Sequence, residues 1–191
     1  MERGRPAMLV NRRAMLFLAA AALAFAAIPG ADAAPKEGDQ APDVRVEDPD
    51  GRALDVRSLR GKKTLIFFYE GKDTAEQNKG LKLEISKLTK SDRYRSVTHF
   101  GAVGDVSDYD YWPVKGIVKD KIREESKKSG WPIYCDWDGS FRSAFKLRRD
   151  VSNVVVVGKS GSILFAAEGP VDARKRQRLI SVVRADVEGS A

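Results

Sequence analysis

Cysteine and histidine are nearly missing from this 191-residue chain: Cys135 is its single thiol and His99 its single imidazole. One cysteine excludes an intrachain disulfide and any Cys-x-x-Cys pair. One histidine excludes a histidine metal cluster. There is no internal repeat and no low-complexity segment, and the longest apolar run, Ala14 to Ile28, lies near the N-terminus. Charge of one sign does not dominate, with 34 Lys and Arg against 27 Asp and Glu. Residues 1–33 hold 4 of the basic and 2 of the acidic residues, so residues 34–191 keep a net charge of +5. That excess is spread out and does not alternate with aromatics, so no nucleic-acid interface is indicated.

What is present at the N-terminus has the grammar of an export signal. Arg3, Arg5, Arg12 and Arg13 precede the apolar run, which Pro29-Gly30 and the small-residue pattern Ala31-Asp32-Ala33 follow. Cleavage after Ala33 is expected, giving a periplasmic or secreted protein. A retained anchor is the competing account, but 15 Ala-rich apolar residues fall short of the roughly 20 that cross a bilayer. Asn11-Arg12-Arg13-Ala14-Met15-Leu16 resembles a twin-arginine signal; an ordinary secretory signal with two arginines is the alternative. No stable membrane span is expected after cleavage. The remaining 158 residues, 34–191, suffice for a single domain.

Pro42 to Val46 and Ala53 to Val56, joined by Asp48-Pro49-Asp50-Gly51, read as a β-hairpin. Thr64 to Tyr69 is a nearly continuous apolar run suited to a strand covered on both faces. Leu81, Ile85 and Leu88 share one face of a helix expected over Thr74 to Thr89. A strand at Val97 to Val103, a helix opened by Trp112-Pro113 over Val114 to Ser129, a strand at Pro132 to Cys135 and a short helix at Ser140 to Lys146 follow. Val154 to Val157 and Ser162 to Ala167 form a second hairpin, and Asp172 to Val187 a last helix. This order predicts an α/β sandwich with a mixed central sheet, helices on both faces and an N-terminal hairpin extension.

Gly38-Asp39-Gln40-Ala41-Pro42-Asp43, Asp50-Gly51, Leu59-Arg60-Gly61-Lys62 and Leu65 to Phe68 resemble the opening of the alkyl hydroperoxide reductase, thiol-specific antioxidant and thioredoxin-like proteins. Asp138-Gly139, Ala144-Phe145 and Val154 to Val157 with Lys159-Ser160-Gly161 resemble their second half. Ser152 to Val157, Glu168-Gly169-Pro170 and the cysteine-free first helix are most similar to the YtfJ family of exported proteins. The resemblance implies a thioredoxin-like sandwich and carries over no defined activity.

Redox members of that superfamily hold a low-pKa cysteine where the central strand meets a helix N-terminus. Here that stretch is Glu70-Gly71-Lys72-Asp73-Thr74-Ala75-Glu76, so Asp73 and Glu76 stand at the cysteine positions. The spacing suits a capping box, in which Asp73 caps the helix and Glu76 reaches back; cation binding or acid–base work is the functional alternative. Redox members also carry a cis-proline before the facing strand, where this chain has Ser152 or Asn153. The soft ligands of copper-delivering relatives are missing.

Cys135 ends an apolar strand beside Asp136, so a buried structural cysteine is expected over a reactive one. His99 reads as a core or strand-end histidine. Asp105, Asp108, Asp110, Asp136 and Asp138 could converge on calcium, but Asp136-Trp137-Asp138-Gly139 is only a fragment of a calcium loop and reads as turn chemistry. Tyr109, Tyr111 and Trp112, with Trp131 and Trp137, make either a binding surface or a closure of the core. Arg174 to Arg178 reads as a solvated helix face. The expected function is a non-catalytic binding or accessory protein of the cell envelope with an envelope protein or small ligand as partner and no metal or cofactor. The alternative is a thiol oxidoreductase or peroxidase-like enzyme using Cys135 alone.

Overall fold

The structure, a computed structural model, describes residues 35–189. The export signal and its cleavage site lie outside the described residues. The chain runs β1 (Arg45–Glu47), β2 (Ala53–Asp55), α1 (Val56–Leu59), β3 (Thr64–Glu70), α2 (Lys79–Lys90), β4 (Thr98–Asp105), α3 (Val114–Ser129), β5 (Ile133–Asp136), α4 (Ser140–Phe145), β6 (Asn153–Val157), β7 (Ile163–Glu168) and α5 (Ala173–Glu188). A 3₁₀ turn at Ser107–Tyr109 follows β4.

The seven strands form one mixed sheet in the order β2-β1-β5-β4-β3-β6-β7. β3, β4 and β5 are parallel, whereas β6 runs antiparallel to β3. All seven residues of β3 are buried, as its unbroken apolar run requires of a central strand. Alternation splits that strand between two cores. Leu65, Phe67 and Tyr69 pack with Phe141, Phe145 and Leu147 of α4 and its exit. Ile66 and Phe68 pack with Leu81 and Ile85 of α2 and Leu179 and Val183 of α5. The N-terminal hairpin joins the sheet through β1, whose Glu47 opposes Cys135 of β5. At the other edge Gly38 N–H donates to the Ile163 carbonyl at 2.8 Å, and Ala41 N–H to the Gly161 carbonyl at 2.8 Å.

α3 covers the expected Val114 to Ser129 and ends on Gly130, a left-handed C-cap at φ 76°. It buries no residue: Val118 and Ile122 are half-buried and Ile117 is exposed. Arg123 fastens it to the hairpin turn, its Nε 2.6 Å from Asp50 Oδ1.

α2 begins five residues later than the helix expected from Thr74, and Asp73 and Glu76 do not cap it. Residues 72–78 instead form consecutive turns, with Gly71 N–H bonded to Thr74 Oγ1 at 3.0 Å. The Ala75 carbonyl, which a helix would have given to an amide one turn on, accepts from Lys82 Nζ at 2.5 Å. A buried side chain has outcompeted the local capping signal.

α4 is short and has Gly139 before it, so its exposed amides are satisfied from the sheet. Phe141 N–H donates to Asp136 Oδ1 at 3.2 Å and Arg142 N–H to Oδ2 at 3.0 Å. The Tyr69 hydroxyl donates to the same Oδ2 at 3.1 Å. Asp136→Ala leaves two amides and a phenol unpaired, with an expected loss of about 2–4 kcal/mol. Urea unfolding followed by circular dichroism measures it; a loss below about 1 kcal/mol refutes this role.

Candidate functional site

β3 ends on Glu70, and its alternation puts Glu70 on the face covered by α2, below the surface. Lys82 lies in the first turn of α2 and points inward with it. The two side chains are 5% and 7% exposed and form an ion pair, Lys82 Nζ to Glu70 Oε2, of 2.5 Å. Ser152, fully buried just before β6, donates its hydroxyl to Glu70 Oε1 at 2.8 Å. Asn78 Nδ2 donates to Ser152 Oγ at 2.9 Å and to the Gly169 carbonyl at 3.0 Å, and Asn78 Oδ1 accepts from Val171 N–H at 2.9 Å. Gln77 Oε1 accepts the Ser152 N–H at 3.1 Å. Burial raises the pKa of Glu70, against the opposing charge and hydrogen bond of Lys82 and the hydrogen bond of Ser152.

This network fills the junction of central strand and following helix. Of the positions expected there, Ser152 is part of it and Asp73 and Glu76 are not. Asp73 is exposed, and Glu76 pairs on the surface with Lys79 at 2.8 Å, an interaction of little energetic weight. Asn153 is used locally, its Nδ2 donating to the Arg148 carbonyl at 2.8 Å. Glu70, Lys82, Asn78 and Gln77 escaped the sequence reading. Lys82 had a signal: it stands three and four residues before Ile85 and Ser86, on the buried arc of its helix.

Cys135 is 3% exposed, two strands away from β3. Burial is the main cause that pushes its thiol up to about 12, with Lys119 opposing. His99 is half-buried with Nε2 2.9 Å from the Tyr134 hydroxyl, and burial followed by the charge of Lys63 lowers its pKa.

The five aspartates do not converge. Asp105 faces Arg149 at 3.5 Å and Arg142 at 3.8 Å; Asp108 also pairs with Arg149; Asp110 holds Lys115 at 2.5 Å. Asp136 serves α4, and Asp138 accepts from Ser140 N–H at 2.9 Å. Among the described residues no group of three or more His, Cys, Asp or Glu is placed to hold a metal ion. Of the aromatic loop, Tyr109 is half-buried, whereas Tyr111 and Trp112 are 57% and 91% exposed. Trp137 is half-buried under the Lys115 ammonium, 4.7 Å from its ring centroid. In the run 174–178, Arg176 pairs with Glu84 and Arg178 with Glu37.

The sheet order and the helix arrangement define a thioredoxin-like fold, with a buried polar network where β3 meets α2. The chain belongs to the family described as bacterial protein of unknown function, YtfJ_HI0045, which it matches over residues 46–186. No curated protein matches the sequence. Among solved structures it is similar to a candidate protein disulfide isomerase from Bacteroides thetaiotaomicron, with 15% identity, 81% of this chain and 91% of that chain covered, and a TM-score of 0.63. A candidate thiol:disulfide interchange protein DsbE from Chlorobium tepidum aligns with 13% identity over 78% of this chain and 99% of its own, TM-score 0.59. The exposed lipoprotein thioredoxin Etrx1 from Streptococcus pneumoniae aligns with 13% identity over 74% and 98%, TM-score 0.54. At these identities the likeness is one of fold.

Removing one partner of a buried ion pair strands the other, so Lys82→Met is expected to cost about 3–5 kcal/mol. Glu70→Leu combined with Lys82→Met should cost less than Lys82→Met alone. Chemical denaturation of both variants checks this; a double variant less stable than the single one contradicts it.

Proposed function

We propose that the chain is an exported, non-catalytic binding or accessory protein of the cell envelope. The observation that carries this reading is the Glu70–Lys82–Ser152–Asn78 network, which occupies the thiol locus with groups already paired to one another. Disulfide exchange needs an accessible thiolate and usually a resolving thiol. Cys135 lacks the second and, being buried with a high pKa, is poorly suited to the first. Tyr111 and Trp112 are the residues we assign to partner contact, because exposed aromatics on a loop held by a rigid scaffold are a common source of binding energy. The envelope location draws on the export signal in the sequence and on the exposed lipoprotein among the similar structures. No helix among the described residues is long and apolar enough to cross a membrane.

Complementation of a deletion strain tests the assignment. Cys135→Ser should complement fully, with a stability loss of about 1–2 kcal/mol. Tyr111→Ala with Trp112→Ala should fail to complement while its melting temperature stays within a few degrees of wild type. The purified protein should show neither insulin reduction nor peroxide consumption above background. Loss of complementation by Cys135→Ser at near-wild-type stability transfers the function to a single-cysteine oxidoreductase.

Export has its own check. N-terminal sequencing of the protein recovered from the envelope should begin at Ala34; a sequence starting at Met1 would falsify cleavage.

A further inference from the structure

At the end of the parallel strands opposite Glu70, a recess of about 250 Å³ opens between the starts of β3 and β4 and the C-terminal ends of α2 and α3. Lys63, Lys90, Arg95 and His99 contribute to its lining, Trp131 and Phe100 form an apolar wall, and no aspartate or glutamate lines it. The two rings meet with centroids 5.6 Å apart at 60°. We propose that this recess binds a small soluble organic phosphate, its phosphate held by the lysines and Arg95 and its carbon skeleton laid on Trp131.

Carboxylates neutralise little of this charge. Lys63 and Lys90 make no ion pair with any carboxylate among the described residues. Arg95 has only Asp92, at 3.5 Å, with side chains 69% and 94% exposed, a pair that solvent weakens. The Lys90 ammonium reaches across to the end of α3, where a Cβ on Gly130 would stand 3.2 Å from its Nζ. Two helix C-termini face the recess, each worth about half a negative charge. Set against Lys63, Lys90 and Arg95 with its exposed partner Asp92, they leave the recess net positive, the sign that attracts a phosphate monoester.

Size and shape select among phosphates. The recess lies below the range of about 300–1,000 Å³ typical of drug-sized ligands, and its aromatic wall would go unused by bare phosphate. A lipid headgroup offers the same chemistry, but cations gathered in a recess behind an indole suit a free molecule better than a flat bilayer.

Phenyl phosphate is the probe, titrated into the full exported protein while amide and Trp131 indole resonances are followed by NMR. Inorganic phosphate, sodium chloride at matched ionic strength and vesicles of phosphatidylglycerol with phosphatidylcholine serve as parallel arms. Phenyl phosphate should give saturable shifts confined to residues 63, 89–100 and 130–132, tighter than those of inorganic phosphate. Lys63→Gln with Lys90→Gln should weaken binding about tenfold with resonances elsewhere unmoved. Shifts reproduced by sodium chloride, phenyl phosphate affinity unchanged in the double variant or no tighter than that of inorganic phosphate, or binding to anionic vesicles without any saturable effect of phenyl phosphate would each overturn the proposal.

Discussion

The buried pair of Glu70 and Lys82 is the constraint around which the β3–α2 end of this thioredoxin-like fold is arranged. A buried ion pair adds little net stability, since desolvation offsets most of the attraction, but it tolerates few geometries. Lys82 must bring its ammonium to the end of β3, and its second partner is the Ala75 carbonyl. With that carbonyl engaged, residues 72–78 form turns, and α2 starts at Lys79. Asn78 and Gln77 are thereby left free to reach Ser152 and the chain after β7. One electrostatic contact thus fixes a helix start, a strand approach and a loop.

The scaffold is shared in fold with the solved thiol:disulfide proteins to which the chain is similar. A helix N-terminus favours negative charge placed just before it. Redox relatives exploit that with a thiolate. In this chain the negative group, Glu70, comes from the strand, sits deeper, and is balanced by a lysine from the helix itself. Buried and paired, that charge is withdrawn from outside molecules.

The architecture was legible because its main signals are local. Thr64 to Tyr69 suited a strand covered on both faces and is one, and Trp112-Pro113 marked the opening of α3. The start of α2 was not legible, because Asp73 and Glu76 carry a real capping pattern and the group that defeats it acts from the next turn. The network was harder still, since Glu70 and Ser152 are 82 residues apart in sequence and only the sheet brings them together. The aromatic loop divided: Tyr111 and Trp112 face solvent as a binding surface requires, whereas Tyr109 is partly covered. The carboxylates that hinted at calcium hold arginines, a lysine and backbone amides instead, and nothing in their spacing announced those partners.

The two ends of the sheet carry a consequence for how the chain behaves in company. An open strand edge is a template on which other chains can polymerise. Here β5 is covered by the hairpin, so that the sheet terminates in β2, three residues long. The opposite edge is capped at the start of β7 by Gly38 and Ala41. Both protections come from residues 38–55, which also bury Ala41, Val46 and Leu54 in the core. That stretch acts as insulation against self-assembly, and a chain clipped behind it would lose part of one core and both edge covers together.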